Sequence, residues 1–319
     1  CLVEDAEAYE FFRGAFTSFD SHRTTFRRLY ANGRGVQDLS GGYVSTCPGG
    51  DYGIEAFSTG ETLVEDCIVE NICNTGFTNL TAPSVTGDTG IGDDSRFIAD
   101  IALGPGAGGF EIYSVCDATS PCDTPDRIAS RNQIIESAAF NFDTDFAAFG
   151  EESVLRNVSA IDATNNGFYF DVRTPPGGLV ASVSLTAGLV VGTTIGVLEA
   201  NQATWSVDYT NVWSAGTAFS PNDSHVTNAS MIDPQIGICN VYLAPGSPMR
   251  GAGPNGTNIG ADIRVQYRDG VATTDPYWRA NGVFAGCGGV IAGLNDDPST
   301  SCIGVHTRLH VGTAGCAWP

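Results

Sequence analysis

Residues Leu63–Phe77 read LVEDCIVENICNTGF, and the same outline returns at Leu2–Phe16 as LVEDAEAYEFFRGAF and at Val154–Phe168 as VLRNVSAIDATNNGF. Fourteen places after the openings Leu2, Thr25, Leu63, Arg96, Ile128, Val154 and Ala181 stand Phe16, Leu39, Phe77, Phe110, Phe142, Phe168 and Ile195, all large and apolar. The residue just before is small or turn-forming: Ala15, Asp38, Gly76, Gly109, Asn141, Gly167 and Thr194. Helical repeats hold a fixed period, but these openings are 23, 38, 33, 32, 26 and 27 residues apart. A coil of short strands joined by loops of free length tolerates that spread. Within each unit the pattern has period two, so Ala6 and Ala8, Cys67 and Val69, Val158 and Ala160, and Leu185 and Ala187 are expected to share a side. Long runs at helical spacing are nearly absent. The expectation is an all-β parallel solenoid of seven or eight turns, each pairing with the last and adding a layer to one core.

Composition agrees with that picture. Only 16% of the 319 residues are charged, and Gly, at 40 residues, is in excess, which fits many turns at the corners of stacked coils. All 15 bases are Arg, against 36 Asp and Glu, for a net charge of −21. Nucleic acid and anionic membrane surfaces are excluded as partners held by bulk charge, since phosphate is held by clustered Lys and Arg. Thr174–Leu198 carries no formal charge, but its Gly, Ser/Thr and Pro content and period-two alternation read as buried strand, so no membrane span is expected.

Ten Cys is an even count. The spacings of Cys67 to Cys73 and Cys116 to Cys122 suit local bridges better than zinc, and Cys287, Cys302 and Cys316 join them as disulfide candidates. Five N-x-S/T sequons, at Asn79, Asn157, Asn222, Asn228 and Asn255, fit an exported glycoprotein. An extracellular or cell-surface setting follows. Leu2–Ala6 reads as an interior turn with nothing amphipathic before it, which leaves either coils upstream of Cys1 or a second subunit stacked there.

The repeats, with ATWSVDYTNVW (Ala203–Trp213), MIDPQ (Met231–Gln235) and YLAPGSPMRGAGPNGTNIGAD (Tyr242–Asp262), resemble right-handed parallel β-helix proteins of the pectate-lyase-like superfamily. Many of these close their helix with Y-x-L-x-x-x-S-P-x-x-x-A-G followed by D/N-I-G-A; here Ser247-Pro248 and Asn258-Ile259-Gly260-Ala261 occupy those places. The resemblance covers roughly Leu2–Asp262 and implies a right-handed parallel β-helix over residues 1–262. Residues 263–319, rich in Cys and Gly, are expected to form a small disulfide-tied cap over the last turn. The superfamily holds lyases, hydrolases, esterases, adhesins and structural repeats, so it implies fold rather than activity.

Related polysaccharide-cleaving helices direct attention to paired carboxylates. Asp143 and Asp145 stand two apart and would face one side of a strand, able to share a calcium ion. Asp93 and Asp94, within Gly92-Asp93-Asp94, match one hydrolase motif, but no His is followed by Gly and R-I-K cannot occur without Lys. Glu151 and Glu152 form a third pair. Tyr9, Phe11, Phe12, Tyr30, Trp205, Tyr209 and Trp213 are candidates for a sugar-stacking strip, with the core as their alternative place. No catalytic motif is complete and no cofactor is indicated beyond calcium. The expected function is an extracellular structural or assembly subunit, glycosylated and self-associating end to end. The alternative is a β-helix that degrades or binds polysaccharide.

Overall fold

The computed structural model describes residues 1–9, 11, 14–19, 21–33, 52–57, 60–81, 93–114, 129–171, 182–200, 204–221, 224–236, 240–278 and 309. Among them run three parallel sheets of nine, eight and eight strands, with one antiparallel pair, Val265–Arg268 with Val271–Pro276, set apart. Each coil gives one strand to each sheet. The first sheet is entered at Leu2, Thr25, Leu63, Arg96, Gln133, Ser153, Ser182 and Thr204, and Val226–Thr227 adds a ninth short rung. The chain is an all-β stack of parallel coils, a parallel β-helix-like solenoid. No helix among the described residues is long and apolar enough to cross a membrane, and Ser182–Thr186, Leu189–Val191 and Ile195–Ala200 are strands.

Register sets the columns of the repeat. Leu2, Thr25, Leu63, Arg96, Gln133, Val154 and Ser184 stand in one column of the first sheet. Phe16, Ile54, Phe77, Phe110, Phe146, Phe168, Val197 and Phe219 form the large apolar column of the third. The fourteen-residue offset therefore holds for the coils opening at Leu2, Leu63, Arg96 and Val154. It fails elsewhere because the loops between sheets change length: Ile54, Phe146 and Val197 hold the places expected of Leu39, Phe142 and Ile195. Leu39, Ile128 and Ala181 lie outside the described residues.

The interior is built in layers. Phe77, Phe110, Phe146 and Phe168 are fully buried and stack with ring centroids 4.7, 4.9 and 5.1 Å apart, close to the roughly 4.8 Å spacing of paired strands. Small residues oppose them. Gly53, Gly76, Gly109, Gly167 and Gly196 immediately precede that column, and a Cβ on Gly109 would stand 2.5 Å from the Asp145 carbonyl and 2.7 Å from Ala139 Cβ. These five Gly thus serve close packing inside the coil rather than its corners.

The bend from the first sheet to the second takes two residues in every coil, and the first is left-handed without being glycine. Asp5, Arg28, Asp66, Ala99, Glu136, Asn157, Ala187 and Tyr209 have φ between 50° and 58°. Each such residue costs on the order of 1–3 kcal/mol and persists only where its surroundings over-determine it. Here each bend amide donates to the next coil, as from Asp66 to Ile98 O at 3.1 Å and from Glu136 to Arg156 O at 3.0 Å. Ala187 sits at this bend and packs outward with Leu189, Leu243, Met249 and Ile259, whereas Leu185 faces the interior, so the two do not share a side as expected.

Cys67 also corrects an expectation. It is a free thiol in the interior column with Val64 and Val69, and Cys73 is disulfide-bonded to a different residue. The bend between Leu63–Glu65 and Ile68–Glu70 places Cys67 inward before the chain reaches Cys73. Cys116, Cys122, Cys287, Cys302 and Cys316 lie outside the described residues.

The outer face of the second sheet is apolar, with Ile68, Ile101, Leu103, Phe140 and Ile161 buried beneath Val241, Tyr242, Ile263, Tyr277 and Trp278. The covering segment runs back along the flank as a strap. Gly260 N donates to Ala187 O (2.8 Å), Ala261 N to Ser159 Oγ (2.9 Å), Asp262 N to Glu136 Oε1 (3.0 Å) and Tyr267 N to Asp66 Oδ2 (2.8 Å). Asp269 N and Gly270 N finish on Glu65. Residues 263–278, expected over the end of the coil, instead lie along its side, continuous with 258–262, because the apolar second sheet needs cover over its length.

Candidate functional site

The carboxylates singled out in the sequence do not converge. Thr144–Ala148 is the strand, so Asp143 falls in the turn before it and alternation does not carry across. Asp143 is exposed and accepts from Thr164 Oγ1 at 3.0 Å and Asn165 Nδ2 at 2.5 Å. Asp145 is fully buried, its Oδ1 3.3 Å from Phe142 N and its Oδ2 without a hydrogen-bond partner. Burial pushes its carboxyl well above the usual range. The shared cation site expected of this pair does not form.

Asp93 and Asp94 do meet, but on Arg131 of the following coil, at 3.0 and 2.8 Å. Asp93 also accepts Ser130 N at 2.8 Å, and loss of water raises its pKa against the pull of that amide and of Arg131. The pair clamps two coils together. Glu151 forms a bridge with Ser130 and Glu152 is exposed at a left-handed bend. Among the described residues no group of three or more His, Cys, Asp or Glu side chains is placed to hold a metal ion.

The sequons divide by position. Asn79 is fully buried inside the coil, its amide donating to Asn132 Oδ1 at 2.9 Å, so it cannot carry a glycan in this fold. Asn157 donates to Asn258 O at 2.6 Å under the strap. Asn228 and Asn255 are exposed, and Asn222 lies outside the described residues.

Aromatic residues form a row other than the one the sequence suggested. Tyr30 and Trp205 are buried, Phe11 is half-buried against the core, Tyr209 packs beside the strap, and Trp213 is exposed; the side chains of Tyr9 and Phe12 lie outside the described residues. On the outer face of the third sheet, Phe19 stacks on Phe57 at 4.8 Å, and further along Tyr113, Phe149 and Tyr169 meet edge to face at 5.2 and 5.5 Å. Phe19, Phe57 and Tyr113 stand three residues after Phe16, Ile54 and Phe110, a signal that needed the correct register of the third sheet.

A charge cluster stands at the first bend. Arg27 Nε lies 2.5 Å from Glu65 Oε1, Nη1 3.2 Å from Glu4 and Nη2 2.6 Å from Asp269. The side chains of Arg27 and Glu65 are 7% and 0% exposed, so the pair is desolvated and held by geometry. Glu4, Arg27 and Glu65 each stand two residues after an opening, alternating in sign.

Large apolar side chains left in solvent mark the two ends. Leu2 (54%) and Phe19 (60%) belong to the first coil; Trp213 (37%), Met231 (60%) and Ile232 (53%) belong to the last coil and its exit. In the first coil Val3, Ala6, Ala15 and Phe16 are only half-buried against the core, and its three strands have a neighbour on one side. Compared with known proteins, the chain matches no family and no curated protein.

Proposed function

We propose that this chain is an extracellular structural subunit, a right-handed β-helix of the pectate-lyase-like superfamily that associates end to end. The observation that carries the reading is the cluster of exposed apolar side chains on the last coil and its exit, where Trp213, Met231 and Ile232 make up three of the six large ones exposed among the described residues. Patches of this kind mark interaction surfaces. A net charge of −21 opposes side-by-side contact along the flank, leaving the ends as the favourable place to meet. An N-terminal coil meeting a C-terminal coil is a heterologous contact, which propagates. The disulfide at Cys73 and the exposed sequons at Asn228 and Asn255 support an extracellular setting, and disulfides within 263–319 belong to the same reading.

Sedimentation velocity and negative-stain microscopy test it. The wild type is expected to form linear oligomers; L2D/F19D and M231D/I232D are each expected to be monomeric, and their mixture to stop at dimers. A strictly monomeric wild type overturns the reading.

A second reading, glycan binding along the flank, is favoured by the aromatic row on the third sheet and by a groove of about 280 Å³ beside Glu152, Ser182, Ser184 and Ser206. The row, on the third sheet, offers stacking faces, and the groove, on the first, offers the hydroxyls of Ser182, Ser184 and Ser206; each suits a neutral sugar. Titration with neutral and uronic-acid polysaccharides, with and without calcium, would reveal it through binding or new reducing ends.

A further inference from the structure

The strap rests on carboxyl groups that it covers itself. Asp66, fully buried, accepts Tyr267 N at 2.8 Å through Oδ2, while Oδ1 finds no partner. Two coils away, Glu136 accepts Asp262 N at 3.0 Å. Tyr267 feels both acids, and Ala261, Ile263, Tyr277 and Trp278 seal the face around them. Asp66 is faced by Glu65, Arg27 and Arg28 from the coils and stands near Asp100, Cys67 and Tyr277. Glu136 is faced by Asp262 from the strap and by Arg156 from the next coil. Arg27 and Arg28 are already engaged, Arg27 by Glu65, Glu4 and Asp269 and Arg28 by Asp5 and Glu4.

We propose that residues 258–278 form a proton-operated latch, docked on the second sheet while Asp66 and Glu136 are protonated and lifting from it when both are ionised. Ionisation would place one negative charge on Asp66 in a site closed to water and a second on Glu136, half-buried beneath the strap, and detachment rehydrates both. Burial holds the two carboxyls at about 8 and about 7 in the docked state, against ordinary values near 4 once exposed. The docked state therefore binds more protons than the open one. Its added stability is complete below the ordinary carboxylate range and is lost as pH rises through about 7 to 8. Lifting would uncover Ile68, Ile98, Ile101 and Ile161, an apolar stripe on the flank that is hidden at acid pH. The inference stands apart from end-to-end association, which uses other residues.

Hydrogen exchange, corrected for the intrinsic pH dependence of each amide, tests the latch. Between pH 6 and pH 9 protection at Asp262 and Tyr267 is expected to fall at least tenfold, while Val64, Phe97 and Leu155 inside the first sheet stay protected. In D66N/E136Q, which keeps acceptors but cannot ionise, strap protection is expected to change less than twofold. Carbon-13 titration of the wild-type carboxyls needs no substitution, and its midpoints should coincide with the loss of protection. Constant wild-type protection, an equal fall in the variant, midpoints below pH 5, or loss of the sheet amides together with the strap would each overturn the proposal.

Discussion

The side-chain amide of Asn157 donates to the backbone carbonyl of Asn258 at 2.6 Å, joining the sixth coil to the strap. Ser159, the third residue of the same sequon, accepts Ala261 N at 2.9 Å. Both polar groups of Asn157-Val158-Ser159 are thus spent on packing. In a glycosylating host, glycopeptide mass spectrometry should find sugar on Asn228 and Asn255 and none on Asn79. A glycan on Asn79 in folded protein would contradict its place inside the coil.

Glu65 holds three partners at once, the Arg27 guanidinium and the amides of Asp269 and Gly270. Glu65→Ala leaves Arg27 with Glu4 and Asp269 but strips the guanidinium of its most buried partner and the amides of Asp269 and Gly270 of their acceptor, and should cost roughly 1–3 kcal/mol. Urea titration measures the loss; a shift below about 1 kcal/mol would show that Arg27 finds water instead.

The layered interior is intolerant in both directions. Phe110→Ala removes the middle of a four-ring stack and should cost about 3–5 kcal/mol. Gly109→Ala adds one methyl where the nearest atoms stand 2.5 and 2.7 Å away, and should cost about 1–3 kcal/mol. Denaturant midpoints of both variants check this.

Asp145 interrupts the glycine column with an ionisable group. Its raised pKa means that the folded state holds the proton, so its contribution falls as pH climbs above the ordinary carboxylate range. Asp145→Asn keeps an acceptor for Phe142 N and should match the wild type at pH 4 yet exceed it at pH 8. Thermal unfolding at the two pH values decides; equal differences at both would remove ionisation as the cause.

Burial and the neighbouring Asp100 push the Cys67 thiol well up, so it should resist alkylation in the native state while Cys1 reacts. Peptide mapping of the non-reduced protein should place Cys73 in a bridge that omits Cys67. Rapid native labelling of Cys67 would indicate that the coil opens there.

The parallel stack was legible because its cause is local. A strand three residues long followed by a two-residue bend repeats its apolar places whatever the loops do, and Leu2, Leu63 and Val154 announce the same bend. Exact columns were not, since a fixed offset fails wherever a loop grows, and the aromatic row on the third sheet was lost with them. Asp143 and Asp145 looked paired only because alternation was assumed to begin one residue early.

By itself the sequence determined that coils stack, that they carry a negative surface without Lys, and that Phe77, Phe110 and Phe168 are interior. Only tertiary structure decided that residues 258–270 lie along the flank, that a sequon holds a strap, that Cys67 stays a thiol and that exposed apolar side chains gather at the ends. Stacking is set by period and side-chain size, which neighbouring residues encode. Those other outcomes depend on which surface remains uncovered once all the coils are in place, a property that no single segment carries.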